Sequence, residues 1–306
     1  MQEVLANIQI ECQNSLTVGK AVLWAAGELT KAGVDSPRLD AELLVAHVLG
    51  EDRAYVFAHP NKELTQRELD ELKTCVSRRA MREPLPYITG KREFFKRTFL
   101  VSPAVLIPRQ ETETLVETVL RRVPKKDTPL LILDVGTGSG CIAITLALEL
   151  PNASIIACDI SPEALAVAQR NASSLIAQNP TAVHSGSISF RCTDFPLGLD
   201  DIAGRLDVLV SNPPYIANSD SDKLPPEVAN YEPRIALFAG EDGLEFIRRI
   251  AQSARCLLKP GGLIAMEVGV GQAERVSEML VQAGIGRIEV TPDLAGIPRV
   301  VSGTVA

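Results

Sequence analysis

Asn212-Pro213-Pro214-Tyr215 stands directly after the apolar run Asp207-Val208-Leu209-Val210-Ser211, and its residue types suit work on a planar nitrogen. An amide or aryl amine nitrogen gives its lone pair to a π system and is a weak nucleophile. Two acceptors, the Asn212 side-chain oxygen and the Pro213 carbonyl, can hold its two N–H groups. Pro213 and Pro214 restrict the backbone so that this carbonyl keeps its aim, and Tyr215 can stack on the planar group. Held in that way, the lone pair faces an electrophile, and charge developing on nitrogen is stabilised without a strong general base. The plain alternative is a rigid proline turn that ends a strand.

A second loop offers the electrophile. Asp134-Val135-Gly136-Thr137-Gly138-Ser139-Gly140 follows the apolar Leu130–Leu133 and precedes the greasy run from Cys141 to Leu150. Glycines there let a backbone approach a ligand and turn sharply into a helix. A dinucleotide fingerprint needs its third glycine at position 141, which is Cys. The GxGxG spacing instead suits a ligand without a pyrophosphate, such as S-adenosylmethionine; a structural glycine turn is the competing reading. Asp159, 19 residues beyond Gly140, ends the next apolar run and is placed to accept ribose hydroxyls. It can also cap the helix opening at Ser161-Pro162-Glu163. Asp194-Phe195, after a third strand, supplies an acceptor for an adenine amino group and a ring for its face, or else a surface turn.

These loops need a scaffold, and the pattern from Arg109 onward provides one. Strands are expected at Leu130–Leu133, Ser154–Cys158, Ile188–Arg191, Leu206–Ser211 and Leu263–Glu267, with helices at Cys141–Leu150, Pro162–Ser173 and Leu244–Leu258. Repeated strand–helix units predict an α/β fold: a doubly wound, mostly parallel, Rossmann-like sheet that binds ligands at its carboxyl ends. Residues 1–82 read as a small helical bundle, with a start at Asp35-Ser36-Pro37 and a capping box at Thr65 and Glu68 opening a helix to about Met81. Residues 83–108 read as a β-hairpin connector, because Pro84, Pro86 and Gly90 break helix before REFFKRTFLVSP. The connector holds Lys91, Arg92, Lys96 and Arg97, the densest basic cluster, which reads as a solvated hairpin face or a docking face. Residues 109–306 are the expected catalytic domain.

Composition excludes several classes. The chain has 306 residues, 31 Lys+Arg against 38 Asp+Glu, and a formal net charge of −7. Affinity for a polyanion needs clustered cations, so no stable nucleic-acid binding is expected. No apolar run reaches the roughly 18 residues of a membrane span. Six cysteines (Cys12, Cys75, Cys141, Cys158, Cys192 and Cys256) form no CxxC pair and suit reduced thiols of the cytoplasm, with no metal site. His47, His59 and His184 lie far apart, which disfavours a histidine-centred mechanism. The N-terminal MQEVLANIQIECQ is acidic and lacks Arg, unlike a signal or transit peptide.

The motifs together resemble the HemK/PrmC family, methyltransferases that modify a glutamine side-chain amide in peptide chain release factors. The likeness runs from EPLPYITGKREFF through FLVSPAVLIPRQETE, LDVGTGSG, ACDISPEAL, SNPPYI, YEPRIAL and AGEDGL to PRVVSG, about Glu83 to Gly303. SNPPY alone is shared with amino-methylating DNA enzymes, whereas the hairpin followed by IPRQETE is far more specific. The resemblance implies a class I methyltransferase fold, S-adenosyl-L-methionine as methyl donor and S-adenosyl-L-homocysteine as product. It implies cofactor contacts at Gly136, Thr137, Gly138, Ser139, Gly140, Asp159, Asp194, Phe195 and Asn212. It places the glutamine of a Gly-Gly-Gln motif in a class I release factor on Asn212, Pro213, Pro214 and Tyr215, and it makes the helical segment a substrate-recognition domain. Arg109, Glu111 and Glu113 would order the site entrance. Three other readings compete: an amino methyltransferase acting on a flipped-out base, a non-catalytic binding protein on the same scaffold, and the same chemistry on a different protein substrate. From Arg109 onward 17 basic residues face 24 acidic ones, against the first. Both motifs are intact, against the second.

Overall fold

The computed structural model describes residues 16–123, 128–179 and 187–306. Cys12, His184 and the N-terminal MQEVLANIQIECQ lie outside the described residues. The chain divides into two compact units, residues 1–89 and 90–306.

The first unit is helical. Helices span Val18–Lys31, Pro37–Leu49, Arg53–Ala58, Gln66–Ala80 and Leu85–Thr89. Pro37 opens the second helix at a position where a missing N–H is harmless, and Gly50 closes it in the left-handed conformation. The Thr65 hydroxyl accepts from the Glu68 N–H while the Glu68 carboxylate accepts from the Thr65 N–H, the expected capping box, worth about 1 kcal/mol. Leu29, Leu44 and Leu72 are fully buried between these helices. Two short helices add to the sequence expectation. Arg53–Ala58 is held at its start by the Asp52 carboxylate, and Leu85–Thr89 forms despite Pro86, whose place in the first turn leaves no hydrogen bond to lose.

The second unit begins with the hairpin, β1 (Lys91–Phe94) paired antiparallel with β2 (Arg97–Leu100). Phe94 and Phe99 meet edge to face at 6.0 Å and sit in the sheet's own core. The hairpin expected as a connector is therefore built into the second unit, and the observed boundary falls one short helix later than residue 82. The main sheet has seven strands in the order β5-β4-β3-β6-β7-β9-β8. They are β3 (Leu131–Val135), β4 (Ser154–Asp159), β5 (Ser187–Cys192), β6 (Leu206–Ser211), β7 (Leu258–Glu267), β8 (Ile285–Pro292) and β9 (Pro298–Val305). β3 to β7 pair in parallel, and β9 runs antiparallel between β7 and β8.

The central strands are apolar on both faces because helices cover both. Ile132, Val208, Val210 and Ala265 pack under helices Thr112–Arg122, Cys141–Glu149 and Pro162–Gln178. Leu133, Leu209, Ile264 and Met266 pack under helices Glu245–Leu257 and Ala273–Gln282. The pleat thus decides which carboxyl-end residues share a face. Val135, Ser211 and Met266 are in register across β3, β6 and β7. One residue further along, Asn212 and Glu267 come level on the face covered by Thr112–Arg122. No described helix is long and apolar enough to cross a membrane.

Candidate active site

A cavity of about 330 Å³ opens at the carboxyl ends of the parallel strands, a size suited to a small-molecule ligand. It lies wholly within the second unit. The glycine turn forms one wall. Gly136 and Gly138 hold φ of +71° and +54°, and a β-carbon on either would meet no atom within 4 Å. The space over these two glycines is open to a ligand. Gly140 differs: its β-carbon would lie 2.8 Å from Ile144 and 3.1 Å from Ala168, so its role is to seat the following helix against its neighbour. Thr137 and Ser139 are buried in the same turn. The Thr137 hydroxyl donates to the Asp134 carboxylate at 2.7 Å, and burial pushes that carboxyl up to about 7.

Asp159 closes β4 beside this turn. One of its carboxylate oxygens accepts from Gly138 N at 2.9 Å and the other from Ser161 N at 3.0 Å. Each oxygen keeps lone-pair capacity toward the cavity. The helix that follows is capped by the Ser161 hydroxyl, which accepts from Ala164 N at 3.1 Å. Asp194 and Phe195 line the cavity further along; Asp194 pairs with Arg249 at 2.7 Å, and Phe195 is 2% exposed, tilted against Phe246.

The loop after β6 forms the opposite wall. Asn212 and Pro214 line the cavity, while Pro213 and Tyr215 stand behind them. Asn212 Nδ2 donates to the Thr112 hydroxyl at 3.0 Å, which leaves its Oδ1 without a partner among the described residues. The Pro213 carbonyl accepts no backbone hydrogen bond among the described residues. Tyr215 is packed against the core under Glu245–Leu257, and its hydroxyl donates to Glu267 Oε1 at 3.4 Å. Burial raises the Tyr215 pKa, as does the negative charge of Glu267.

Glu232 and Asn171, which the sequence pattern does not single out, hold these walls in place together with residues expected at the site entrance and in the basic cluster. Glu232 is 5% exposed and accepts from Ile107 N and from the Arg109 guanidinium, fixing the segment before Thr112. Glu113 accepts from Phe95 N at 2.8 Å and ties the hairpin turn to the same helix. Glu111 stands at the helix start without a side-chain cap bond. Asn171 is buried and bonds both backbone groups of Leu100 and the Ser139 carbonyl, joining β2 to the glycine turn. Within the basic cluster, Arg97 pairs with Glu149 and Arg92 donates to the Pro108 carbonyl. Arg92 and Arg97 are thus bound inside the unit.

The Tyr215 end of the loop is clamped by close packing. Gln272 Nε2 donates to the Tyr215 carbonyl at 2.9 Å, and a β-carbon on Gly243 would lie 2.4 Å from that same oxygen. Gly243→Ala should therefore push this loop out of place. Gly261→Ala serves as its control, since Gly261 has a similar positive φ of +78° but open space around it. Both variants should lose about 1–2 kcal/mol from left-handed strain, read by denaturant unfolding. Only Gly243→Ala should also lose about tenfold in catalytic rate per folded molecule. Equal activity in the two variants would show that the clamp does not position the loop.

This sheet order, with a glycine turn after β3 and an acidic residue ending β4, defines a class I methyltransferase fold. The catalytic domain of hMettl16 in complex with the MAT2A 3′UTR hairpin 1 shares it, with a TM-score of 0.53 at 18% identity over 78% of this chain and 80% of that one. Residues 20–90 match the PrmC N-terminal domain, and residues 110–226 the methyltransferase small domain. The release factor glutamine methyltransferase of Koribacter versatilis (strain Ellin345) is 46% identical over 288 residues, 94% of this chain and 98% of that one. The protein of the same name from Geobacter sulfurreducens is 44% identical over 289 residues, 94% and 97% of the two chains. The chain belongs to the release factor glutamine methyltransferase family.

Proposed function

We propose that this enzyme transfers a methyl group from S-adenosyl-L-methionine to the side-chain amide nitrogen of the glutamine in the Gly-Gly-Gln motif of class I peptide chain release factors, in the cytoplasm, in support of translation termination. What supports the reading is Asn212 Oδ1, which has no partner among the described residues and lines a cavity that the glycine turn also walls. The adjacent Pro213 carbonyl supports it as well, since it accepts no backbone hydrogen bond among the described residues. A primary amide presents two N–H groups, and two fixed acceptors match it.

The methyl donor fits the residues present. Gly136 and Gly138 leave room where any side chain would intrude, Asp159 has lone pairs to spare for two ribose hydroxyls, and Phe195 offers an apolar ring near Asp194. Thr137, Ser139 and Gly140 keep the turn in shape. When bound, S-adenosylmethionine supplies an electrophilic sulfonium methyl and leaves as S-adenosyl-L-homocysteine. Asn212 and Pro213 hold the substrate nitrogen so that its lone pair faces that methyl. Pro214 lines the wall beside them, and Tyr215 anchors the loop from behind. As the new N–C bond forms and the S–C bond breaks, positive charge grows on the nitrogen. Its hydrogen bonds to Asn212 Oδ1 and the Pro213 carbonyl strengthen accordingly until one proton is shed to solvent.

The helical unit of residues 16–89 is the proposed recognition module, because a folded partner needs contact area beyond a cavity of this size. Nucleic acid is not a proposed substrate, given the acidic balance of the catalytic half. Mass spectrometry of release factor incubated with enzyme and S-adenosylmethionine tests the reading. The expected product carries one added methyl on the Gly-Gly-Gln glutamine. Unmodified factor, or a methyl at any other residue, would overturn it.

A further inference from the structure

Glu267 ends β7 level with Asn212, 1% exposed, and it does not itself line the cavity. Its Oε1 accepts from the Tyr215 hydroxyl, and its Oε2 is sealed from solvent with no hydrogen-bond partner among the described residues. The Thr112 hydroxyl, also buried, accepts from Asn212 Nδ2 and lies near enough to the same carboxylate to stabilise its charge. A hydroxyl carries a single proton. If an ionised Glu267 takes that proton on its unpartnered Oε2, Thr112 can only accept from Asn212. Asn212 must then show Thr112 its Nδ2, and its Oδ1 is left for the cavity.

We propose that Glu267 is a positioning residue that sets the direction of a hydrogen-bond relay, Asn212 to Thr112 to Glu267, and thereby decides which end of the Asn212 amide faces the substrate. This rests on the methyl-transfer reading of the same site. Protonated on Oε2, Glu267 becomes a donor toward Thr112. The Thr112 proton then turns to Asn212, which must offer Oδ1 to it, so the cavity receives Nδ2, a donor that repels the substrate N–H. Orientation therefore requires the ionised form.

The surroundings make that requirement visible near neutral pH. Burial pushes Glu267 up to about 7, opposed by Thr112, by Arg299 on β9 and by the Tyr215 hydroxyl, and assisted by the charge of Glu111. Arg109 acts on the neighbouring Tyr215, and the Cys141 thiol on the next helix senses Glu267 as well. A carboxylate raised in the folded state is protonated below that pKa, so the rate should rise with pH through about 7. Its contribution to stability runs the other way, falling as pH rises from the ordinary carboxylate range to about 7, because the folded form holds the proton more tightly.

The test uses the full chain with release factor and saturating S-adenosylmethionine. In Glu267→Gln the single-turnover rate should fall about ten- to a hundredfold, with cofactor affinity by calorimetry unchanged and the limb near pH 7 flattened. Thr112→Val should fall equally, Thr112→Ser should recover most of that loss, and Glu267→Gln with Thr112→Val should be no worse than either alone. Independently of turnover, the Asn212 side-chain NH2 resonance should show one proton protected from exchange in the parent and lose that protection in Thr112→Val. A parent rate in Glu267→Gln overturns the proposal. So do multiplying losses in the double variant, or a pH limb that persists in Glu267→Gln and so belongs to Asp134. Should Glu267→Gln not fold, the Thr112→Val and Thr112→Ser pair decides by the same two readouts. A parent enzyme that leaves release factor unmethylated refutes the substrate reading instead, and the resonance still judges the relay.

Discussion

Replacing Asn212 with alanine is expected to slow methyl transfer by at least about a hundredfold, the usual loss when one oriented transition-state partner is removed. Cofactor affinity should change little, because the glycine turn and Asp159 belong to β3 and β4 and do not depend on the Asn212 side chain. The substitution removes one acceptor for the substrate amide and leaves the Thr112 hydroxyl without its donor. Asn212→Asp separates these losses. It keeps an acceptor oxygen toward the cavity, but its other oxygen would face Thr112 with a second carboxylate, Glu267, close behind. Activity above the alanine level, rising where one of the two acids is protonated, is the expected result. Tyr215→Phe should be mild, since the ring stays packed and only a 3.4 Å bond to Glu267 is lost. Rapid-quench measurement with release factor in excess checks all three. Normal turnover in Asn212→Ala would leave Asn212-Pro213-Pro214-Tyr215 as a rigid turn and nothing more.

The parallel strands were legible because burial on both faces leaves continuous apolar runs, as in Leu131–Val135 and Leu206–Ser211. β8 and β9 were not, since β8 alternates between buried and exposed positions and carries Thr291 and Pro292. The helix Thr112–Arg122 likewise carries little signal in the sequence. Its start lies inside IPRQETE, where charged residues mask the apolar spacing of Leu115, Val116 and Val119.

Within the site, the residues that stand at strand ends in glycine- or proline-rich loops could be read in order along the chain. Those that fix them could not. Asn212 and Thr112 are 100 residues apart, and Asn171 reaches Leu100 across 71 residues. A threonine at a helix start and an asparagine within a helix give no local signal of such partners. Glu267 did leave a trace, because an acid that ends an apolar strand repeats the placement of Asp159 on β4. Only the pleat shows that it falls on the face of Asn212. The two walls therefore differ in kind. The cofactor wall is largely local in sequence, while the substrate wall is assembled from distant segments.

That difference shapes the expectation for Asp159→Ala, a loss of S-adenosylmethionine affinity of at least about a hundredfold. If each ribose hydroxyl donates to this carboxylate, each bond to a charged acceptor contributes roughly 1.5–3 kcal/mol, and about tenfold in affinity corresponds to 1.4 kcal/mol. The same carboxylate also orders the Gly138 and Ser161 amides, so alanine removes the ribose partner and loosens the turn together. Asp159→Asn should fall nearly as far, because its NH2 group must point at an amide N–H or at a hydroxyl. Ser161→Ala distinguishes ribose binding from helix capping. It deletes the hydroxyl that accepts from Ala164 N, which should lower stability by about 1 kcal/mol and leave Asp159 in place. Calorimetric titration with S-adenosylmethionine and thermal unfolding should therefore move in opposite patterns, affinity for Asp159→Ala and melting temperature for Ser161→Ala. Unchanged affinity in Asp159→Ala would refute the ribose assignment. An equal affinity loss in Ser161→Ala would mean that the start of this helix, and not the carboxylate, is what the ligand needs.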